Sequence, residues 1–202
     1  TVWPVNKALL AYVTPIWSIA LRTYISALAL FAISTFITGI VTPKRGDMPV
    51  LISMVLLHMV GFTILTTLAL QVVPAGQTAV LAYTIVLWAP LGAALFLGER
   101  LSLRRAIGLG LGVLGLIVIF NPLALDWSDR SAVAGNVTLL GAAMLWAASI
   151  VHNRGHVWRS TPFQVLPWQM LLAAAILTPI ALFIEGPPAM RLTGESLAML
   201  LF

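Results

Sequence analysis

The sequence predicts an all-α protein that crosses a membrane several times. Hydrophobic residues make up 60% of the 202 residues and charged residues only 8%, with a mean hydropathy of +1.03. A soluble domain carries about 25% charged residues, so this composition cannot supply a water-facing surface. Apolar runs of about 20 residues recur, and each is long enough to cross about 30 Å of hydrocarbon as a helix. Short loops that carry arginine and lysine separate these runs.

Six long apolar segments are predicted to be whole membrane helices. In chain order they are Trp17–Val41, Met48–Val73, Thr78–Leu97, Ala106–Phe120, Asn136–Val151 and Phe163–Phe183. A shorter apolar segment at 1–10 precedes the helix-breaking pair Thr14-Pro15, and Leu197–Phe202 is predicted to begin a further helix. The sequence therefore predicts seven to eight helices.

Positive charge collects in alternate loops. If Lys44 and Arg45 are placed on one side, alternation puts five further arginines there: Arg100, Arg104, Arg105, Arg154 and Arg159. That side then holds seven of the eleven lysines and arginines. The opposite loops hold two arginines beside four acidic residues, namely Arg130, Arg191, Asp126, Asp129, Glu185 and Glu195. Because Lys and Arg accumulate in cytoplasmic loops, the basic side is predicted to be cytoplasmic, with the N-terminus inside.

The chain contains an internal repeat. A shift of 147 residues aligns Asn6-Lys7 with Asn153-Arg154, Thr14-Pro15 with Thr161-Pro162, Arg22 with Gln169, and Gly39 with Gly186. The boundaries implied are 1–122 for a first repeat and 132–202 for the start of a second. One repeat contains five spans, and five is odd, so the second repeat is expected to enter the membrane in the opposite orientation.

The charged hairpin between the third and fourth long segments carries a family resemblance. The residues Ala82-Tyr83-Thr84, Leu87-Trp88 and Leu97-Gly98-Glu99-Arg100-Leu101-Ser102, followed by a glycine-rich helix from Gly108 to Gly115, resemble the EamA module of the drug/metabolite transporter superfamily. Many members of that family have a proline at the position of Val86, whereas this chain has Pro90. The resemblance implies an inverted repeat of two five-helix EamA bundles, ten helices in the full protein. This chain would then supply helices 2–7 whole, with halves of helices 1 and 8.

The resemblance also implies a central cavity lined by helices 1, 4 and 6, together with 3, 8 and 9. Candidate substrate contacts on helix 1 are Asn6 and Lys7, since an ionisable residue within a membrane helix is a functional candidate. Two alternatives stay open for Lys7, namely snorkelling to the interface and an ion pair with another helix. Four aromatic residues are further candidates, with an interfacial belt as the alternative: Trp3, Tyr83, Trp88 and Trp146.

His58 and Arg22 are polar residues within predicted spans. His58 is a candidate for a substrate or proton role, against the alternative of a packed core residue. No metal is expected there, because no Cys, Asp or Glu accompanies it at ligand spacing. Arg22 is predicted to anchor the start of its helix at the interface.

Two further motifs favour structural interpretations. Gly110 to Gly115 matches the dinucleotide pattern GxGxxG, but the glycines lie within an apolar helix rather than after a strand. Gly108, Gly112 and Gly115 share one helical face and are predicted to let another helix approach closely. Glu99 and Arg100 resemble the loop motif of the family and are predicted to stabilise the loop.

Several functions are disfavoured. The chain has no cysteine and no GxxxxGK[ST] motif, so disulfides and an ATP site are absent from it. All six acidic residues fall in loops or at loop edges. We expect no cofactor, and the cations form no basic stripe of the kind that binds nucleic acid. A membrane-embedded enzyme acting on a lipid-linked substrate is the alternative function, and it would have to use His152 and His156 near Arg154 and Arg159.

The leading hypothesis is therefore a secondary transporter, not an enzyme. It would move a small metabolite, such as an amino acid or an amphipathic or aromatic compound, by alternating access through the cavity. The resemblance favours export. The expected partners are the small-molecule substrate and the lipid bilayer of the inner cell membrane, with the protein a monomer or a homodimer.

Overall fold

Seven helices make up the part of the chain that the structure describes. The structure is a computed structural model that describes residues 2–37, 39–120, 128–188 and 200. The helices are α1 (Val2–Leu9), α2 (Pro15–Ile37), α3 (Arg45–Val72), α4 (Ala75–Phe96), α5 (Leu103–Phe120), α6 (Arg130–Arg154) and α7 (Pro162–Glu185).

The all-α, multi-pass class is confirmed. Among the described residues, five helices are long and apolar enough to cross a membrane, namely α2, α3, α4, α6 and α7. Three predicted features lie outside the described residues: Asp126, the loop residues Arg191 and Glu195, and, apart from Leu200, the start of a further helix at 197–202.

The antiparallel pair α2–α7 is the centre of the fold. Small or compact side chains recur every seven residues along the buried seam, at Ala20, Ala27 and Ser34 on α2 and at Pro167, Ala174 and Ala181 on α7. A seven-residue repeat keeps one face of each helix against the other, and small side chains allow a close approach. Polar contacts fix the register, with Ser34 Oγ donating to Phe163 O at 3.1 Å and the hydroxyls of Tyr24 and Thr178 3.0 Å apart.

Several helices begin earlier than the hydropathy pattern predicts. Proline is tolerated in the first turn of a helix, where its missing N–H has no partner to lose, so α2 starts at Pro15 and α7 at Pro162. Thr161 and Gln164 form a capping box at α7. Asp129 caps α6 by accepting from the backbone N–H groups of Ser131 and Ala132 at 3.0 and 3.1 Å. Polar capping residues therefore lengthen the helices beyond their apolar centres.

Helix α4 is interrupted at Tyr83 and Thr84. It runs from Ala75 to Ala82 and again from Ile85 to Phe96, so it begins three residues before the predicted Thr78 and the predicted span is not continuous. At the break, Leu87 N donates to Thr84 O at 2.8 Å, a tightened turn of three residues. Pro90 lies inside the second part. The break therefore lies just before Val86, the position at which the family resemblance led us to expect a proline, and not at Pro90.

Helix α3 contains a π-helical stretch from Val55 to Phe62. A π turn widens the helix and changes the direction in which its side chains point. Two threonine hydroxyls accompany it: Thr66 Oγ1 donates to Phe62 O at 2.7 Å, and Thr63 Oγ1 donates to Met59 O. The stretch includes His58 and Gly61, and Gly61 leaves room for Leu145 of α6, whose Cδ1 lies 3.0 Å from where a Cβ would be.

The loops between α2 and α3, α4 and α5, and α6 and α7 meet at one end of the bundle, which we call the loop end. The fully buried carboxylate of Asp47 accepts from His156 Nε2 at 2.9 Å and from Arg159 N at 3.2 Å. Glu99 Oε1 lies 3.2 Å from Arg154 Nε, and Glu99 Oε2 lies 3.9 Å from Arg105 Nη1. The basic loops therefore share one end, as the alternation of spans predicts.

The Glu99–Arg100 motif follows a glycine-terminated helix. Gly98 has φ +66°, a conformation that glycine adopts without a Cβ clash, and Glu99 N reaches back to Ala93 O at 3.4 Å. This turn directs Glu99 toward Arg154 and Arg105, rather than toward Arg100.

Helix α5 lies at the edge of the bundle, with most of its side chains exposed. Of the three glycines predicted to allow close packing, Gly112 faces α4, where an added Cβ would lie 3.0 Å from Leu87 Cδ2. Gly108 and Gly115 have no described atom within 4 Å of such a Cβ. Close approach of a helix at those two positions stays a prediction.

Candidate functional site

A cavity of about 390 Å³ lies among six helices. Its lining residues come from α1, α2, α3, α4, α6 and α7, and they include Trp3, Asn6, Ser18, Arg22, Thr23, Ser26, Met59, Phe62, Thr63, Thr66, Thr67, Tyr83, Trp146 and Met170. Ser18 is close to the start of α2 and Leu70, also in the lining, is close to the end of α3. Ser26 and Met59 lie near the middle of their helices, and Trp146 and Met170 lie closer to the loop end. The cavity therefore extends from near the end of the bundle opposite the loop end to about its middle.

Aromatic rings form one wall of the cavity. Trp3 of α1 and Tyr83 at the break in α4 meet edge to face, with ring centroids 6.4 Å apart. Phe62 of α3 and Trp146 of α6 pack with centroids 4.7 Å apart. Such pairs hold their rings in defined orientations, and their faces can pack against the planar part of a solute. Three of the four aromatic residues predicted from the sequence thus line one cavity, and the break in α4 brings Tyr83 to it.

His58 lies behind this wall. Its imidazole stacks on the indole of Trp146, with ring centroids 4.6 Å apart and planes 3° from parallel, and it is not among the residues that line the cavity. The π-helical stretch of α3 carries His58 to this place. The stack fixes the orientation of Trp146, while a substrate or proton role for His58 stays a prediction.

Arg22 is the charged residue in the lining of the cavity. It is the eighth residue of α2, which places it about 10 Å along the axis from Pro15. Its half-buried guanidinium donates from Nη1 to Asn6 Oδ1, and both residues line the cavity. Sequence reasoning predicts interfacial anchoring for Arg22, whereas the structure places it on the cavity wall. The sequence feature that could have predicted this placement is the presence of two polar residues, Asn6 and Arg22, on two apolar helices that follow each other in the chain.

Hydroxyl groups and apolar side chains line the remainder of the cavity, and the hydroxyl groups are hydrogen-bond acceptors. Ser18 Oγ, Thr23 Oγ1 and Thr66 Oγ1 each donate at 2.7 Å to a backbone carbonyl of their own helix, and Thr63 does the same. A hydroxyl has one donor and two acceptor lone pairs. Because the donor is already engaged, these oxygens offer lone pairs to a solute that brings N–H or O–H groups.

Two predicted residues lie elsewhere. The exposed Lys7 donates from Nζ to Val73 O at 3.1 Å, where it satisfies a carbonyl at the end of α3. Trp88 donates from Nε1 to Thr84 Oγ1 at 3.1 Å and lines a separate apolar groove of about 870 Å³ between α4 and α6. Of the two polar candidates on α1, the structure therefore brings Asn6, and not Lys7, to the cavity.

The histidines of the alternative enzymatic site lie near the loop end. No group of three or more His, Cys, Asp or Glu side chains that could hold a metal occurs among the described residues. His152 and His156 both line the apolar groove beside Trp88, and His156 is also engaged with Asp47. The groove therefore brings the two histidines together, without a metal-holding cluster in the described part of the chain.

Comparison with known proteins agrees with a transporter fold. The model of the EamA-like transporter family matches residues 1–121. One relative, named uncharacterized transporter YoaV, from Bacillus subtilis (strain 168), is 26% identical over 200 residues, which are 99% of this chain and 68% of the relative. A second from the same organism, uncharacterized transporter YvbV, is 27% identical over 200 residues, 99% of this chain and 64% of the relative.

Two further matches cover different extents. A protein named riboflavin transporter, from Rhizobium johnstonii (strain DSM 114642 / LMG 32736 / 3841), is 33% identical over 111 residues, 55% of this chain and 34% of that protein. A crystal structure superposes with a TM-score of 0.71 at 18% identity, covering 100% of this chain and 74% of that one. The structural match supports the fold alone. Since the transporter family model, not an enzyme family, spans 121 of the 202 residues, the chain belongs to the EamA-like transporter family.

Proposed function

We propose that the chain is the larger part of a secondary transporter that binds a small amphipathic or aromatic solute in the cavity. The observation that carries the proposal is the convergence of Trp3, Asn6, Tyr83 and Trp146 from three helices on one cavity, beside Arg22 of a fourth helix. Membrane proteins place polar groups within a span where they serve a pathway, because burial there is costly. The relative named riboflavin transporter supports a solute with aromatic character.

The inverted repeat is part of the proposal, with repeats at 1–122 and 132–202 and ten helices in the whole protein. A shift of 147 residues carries Pro15, the start of α2, onto Pro162, the start of α7. The same shift carries Gly39 (φ +71°) onto Gly186 (φ +75°), each just after its helix. Equivalent helices of an inverted repeat run in opposite directions, and α2 and α7 do so. These correspondences support alternating access by movement of one repeat against the other.

The orientation follows from charge. The loop end carries the basic loops, so we place it at the cytoplasmic side of the inner membrane, with the N-terminus inside. The cavity then extends from near the outer end of the bundle to about its middle, the arrangement expected of an outward-facing state. Export is the direction that the family resemblance favours.

The proposed roles differ among the candidate residues. Trp3, Asn6, Tyr83 and Trp146 contact the solute, and His58 supports Trp146 from behind. Lys7 holds the turn between α3 and α4 through Val73, and Trp88 packs α4 at the apolar groove. Glu99 and Arg100 belong to the loop end and serve structure.

The test is transport by the full-length protein in liposomes, scored against a panel of aromatic and amphipathic solutes. Trp146→Ala removes a cavity wall and is expected to lower transport by about tenfold or more, as for a central aromatic contact. Trp88→Ala is the matched control, a tryptophan of the same bundle outside the cavity, and should leave the apparent affinity within about twofold. Loss of transport in both variants alike, or in neither, would contradict the placement of the site, and no solute moved by the wild type would contradict transport itself.

A further inference from the structure

We propose that Arg22 makes the cavity a subsite for a monoanionic group, so that the solute is an aromatic carboxylate with further N–H or O–H groups. This inference rests on the proposed transport function and adds the chemical class of the solute. Its basis is the environment of one side chain, since Arg22 is the charged residue among those that line the cavity.

The charge of Arg22 lacks a compensating anion in the described chain. Its described partner is the neutral Asn6 Oδ1. The described acidic residues lie at the ends of helices and are otherwise engaged. Asp47 and Glu99 belong to the loop end, Asp129 caps α6, and Glu185 accepts from the backbone N–H groups of Ile16 and Trp17 at 2.8 and 3.1 Å. An unpaired cation in a membrane span is costly, and a bound anion relieves that cost.

The fold does not require a cation at this position. The residue 147 positions later in the equivalent helix α7 is the neutral Gln169, which is 1% exposed and donates from Nε2 to Met54 Sδ at 3.3 Å. Its neighbour Asn153, equivalent to Asn6, accepts from Trp158 Nε1 at 2.8 Å. The second copy of this helix–helix contact is thus built from neutral groups, which leaves the charge of Arg22 available for a ligand.

The number of charges favours a carboxylate over a phosphate. One guanidinium carries one positive charge and can donate two parallel hydrogen bonds to a carboxylate. A carboxylate therefore gives a neutral pair, whereas a dianionic phosphate ester would leave a net negative charge in the membrane span.

The other wall groups complement the remainder of such a solute. The hydroxyl oxygens of Ser18, Thr23 and Thr66 accept hydrogen bonds because their own protons are already donated to backbone carbonyls. The rings of Trp3 and Trp146 offer flat apolar faces. The site therefore combines one cationic donor, several acceptors and an aromatic wall.

The experiment is calorimetric titration of the full-length protein in nanodiscs with matched pairs of probes. The pairs are phenylacetate and phenylacetamide, and indole-3-acetate and indole-3-acetamide, with phenyl phosphate as a separate arm. For the carboxylate that wild type binds most tightly, we expect the affinity to be at least about tenfold higher than the affinity for the matching amide. Arg22→Gln should weaken acid binding by roughly 10- to 100-fold and leave amide binding unchanged, because only the charged hydrogen bonds are lost.

Two further variants keep the test decisive. Arg22→Lys retains the charge without the planar donor pair and should lie between wild type and Arg22→Gln. Lys7→Gln removes an equal charge outside the cavity and should bind like wild type. If Arg22→Gln does not fold, the wild-type preference and the Arg22→Lys result decide the question.

The outcomes separate the inference from the proposed function. Equal binding of every acid and its amide, or an equal loss of both in Arg22→Gln, would overturn the anion subsite and leave the cavity as a solute site. Tighter binding of phenyl phosphate than of the carboxylates would overturn the assignment to a monoanion. Binding of no probe, together with transport of no solute, would overturn the proposed function as well.

Discussion

The loop end and the cavity half of the bundle differ in how their buried charged groups are hydrogen-bonded. At the loop end the buried carboxylate of Asp47 is satisfied by His156 and by the backbone of Arg159. At the cavity, the partner of the Arg22 guanidinium among the described residues is the neutral Asn6. A satisfied buried network holds loops together, whereas an unsatisfied polar group is available to a ligand. This difference is the basis for our proposal that the loop end maintains the structure and that the cavity binds the solute.

The largest effect on stability is expected from Asp47→Ala. This change leaves the ring of His156 and the N–H of Arg159 without their shared acceptor, so the two loops separate. We expect the midpoint of thermal unfolding to fall by about 5 °C or more. Differential scanning fluorimetry of the detergent-solubilised protein measures this change, with the exposed cap variant Asp129→Ala as control.

The same variant tests the comparison directly. If the loop end is structural, solute affinity of the folded Asp47→Ala protein stays within about twofold of wild type. A loss of affinity as severe as that in Trp146→Ala would mean that the two halves do not have separate roles.

The next largest effect is expected at the seam between α2 and α7, which runs along the length of the bundle. Ala27 is buried on α2 against α7, so Ala27→Leu forces extra atoms into a packed contact. Overpacking costs about 1–3 kcal/mol of unfolding free energy. Ala29→Leu, on the exposed face of the same helix, is the control. Equal thermal stability of the two variants would show that α2 and α7 do not pack through this seam.

A smaller effect is expected at the stack behind the cavity wall. His58→Phe keeps a flat ring against Trp146 and is expected to retain transport within about threefold, while His58→Ala removes the ring and should lower it further. Transport by the full-length protein in liposomes is the measurement. Complete loss of transport in His58→Phe would instead assign a proton or hydrogen-bonding role to the imidazole.

The smallest effect concerns the cap of α6. The Ser131 hydroxyl, at 2.7 Å, and the backbone N–H groups of Ala132 and Ser131 hydrogen-bond the Asp129 carboxylate and lower its pKa. A lowered folded-state pKa means that the cap stabilises α6 fully above the unfolded pKa near 3.9 and that this contribution disappears as the pH falls through the folded value. Asp129→Asn should therefore flatten the acid side of the stability profile below about pH 4. An unchanged profile, measured by thermal unfolding from pH 3 to 7, would contradict the cap.

Six whole spans are predicted from the sequence, and five of the corresponding helices are long and apolar enough to cross a membrane among the described residues, with α5 as the exception. Hydropathy locates α2, α3, α4 and α6, since an apolar run of membrane length has few alternatives to a helix. It does not locate the break at Tyr83 or the π stretch around His58, because both depend on packing against neighbouring helices and leave no hydropathy signal. These two irregularities place Tyr83 on the cavity wall and His58 behind it.

The candidate site could be predicted only in part, because packing between helices leaves no hydropathy signal. Aromatic residues on helices expected to line a cavity could be proposed from the family resemblance, and Trp3, Tyr83 and Trp146 do line one. The side of a helix on which a residue lies relative to its neighbours is a tertiary property. For that reason the sequence could not separate Lys7, which turns to Val73, from Asn6, and it could not bring Arg22 into the cavity.

The proposal that the cavity binds solute from the outer side, and that the loop end does not, is tested most directly by solute-protected cysteine labelling from the outside of intact cells. The chain has no cysteine, so Ser26→Cys in the cavity and Ser160→Cys at the loop end each introduce one thiol into it, in a full-length protein without other cysteines. We expect a membrane-impermeant maleimide to label Ser26→Cys and a transported solute to slow that labelling. We expect the thiol of Ser160→Cys to react much more slowly than the thiol of Ser26→Cys. Faster labelling at Ser160→Cys than at Ser26→Cys, or no protection by solute, would contradict this proposal.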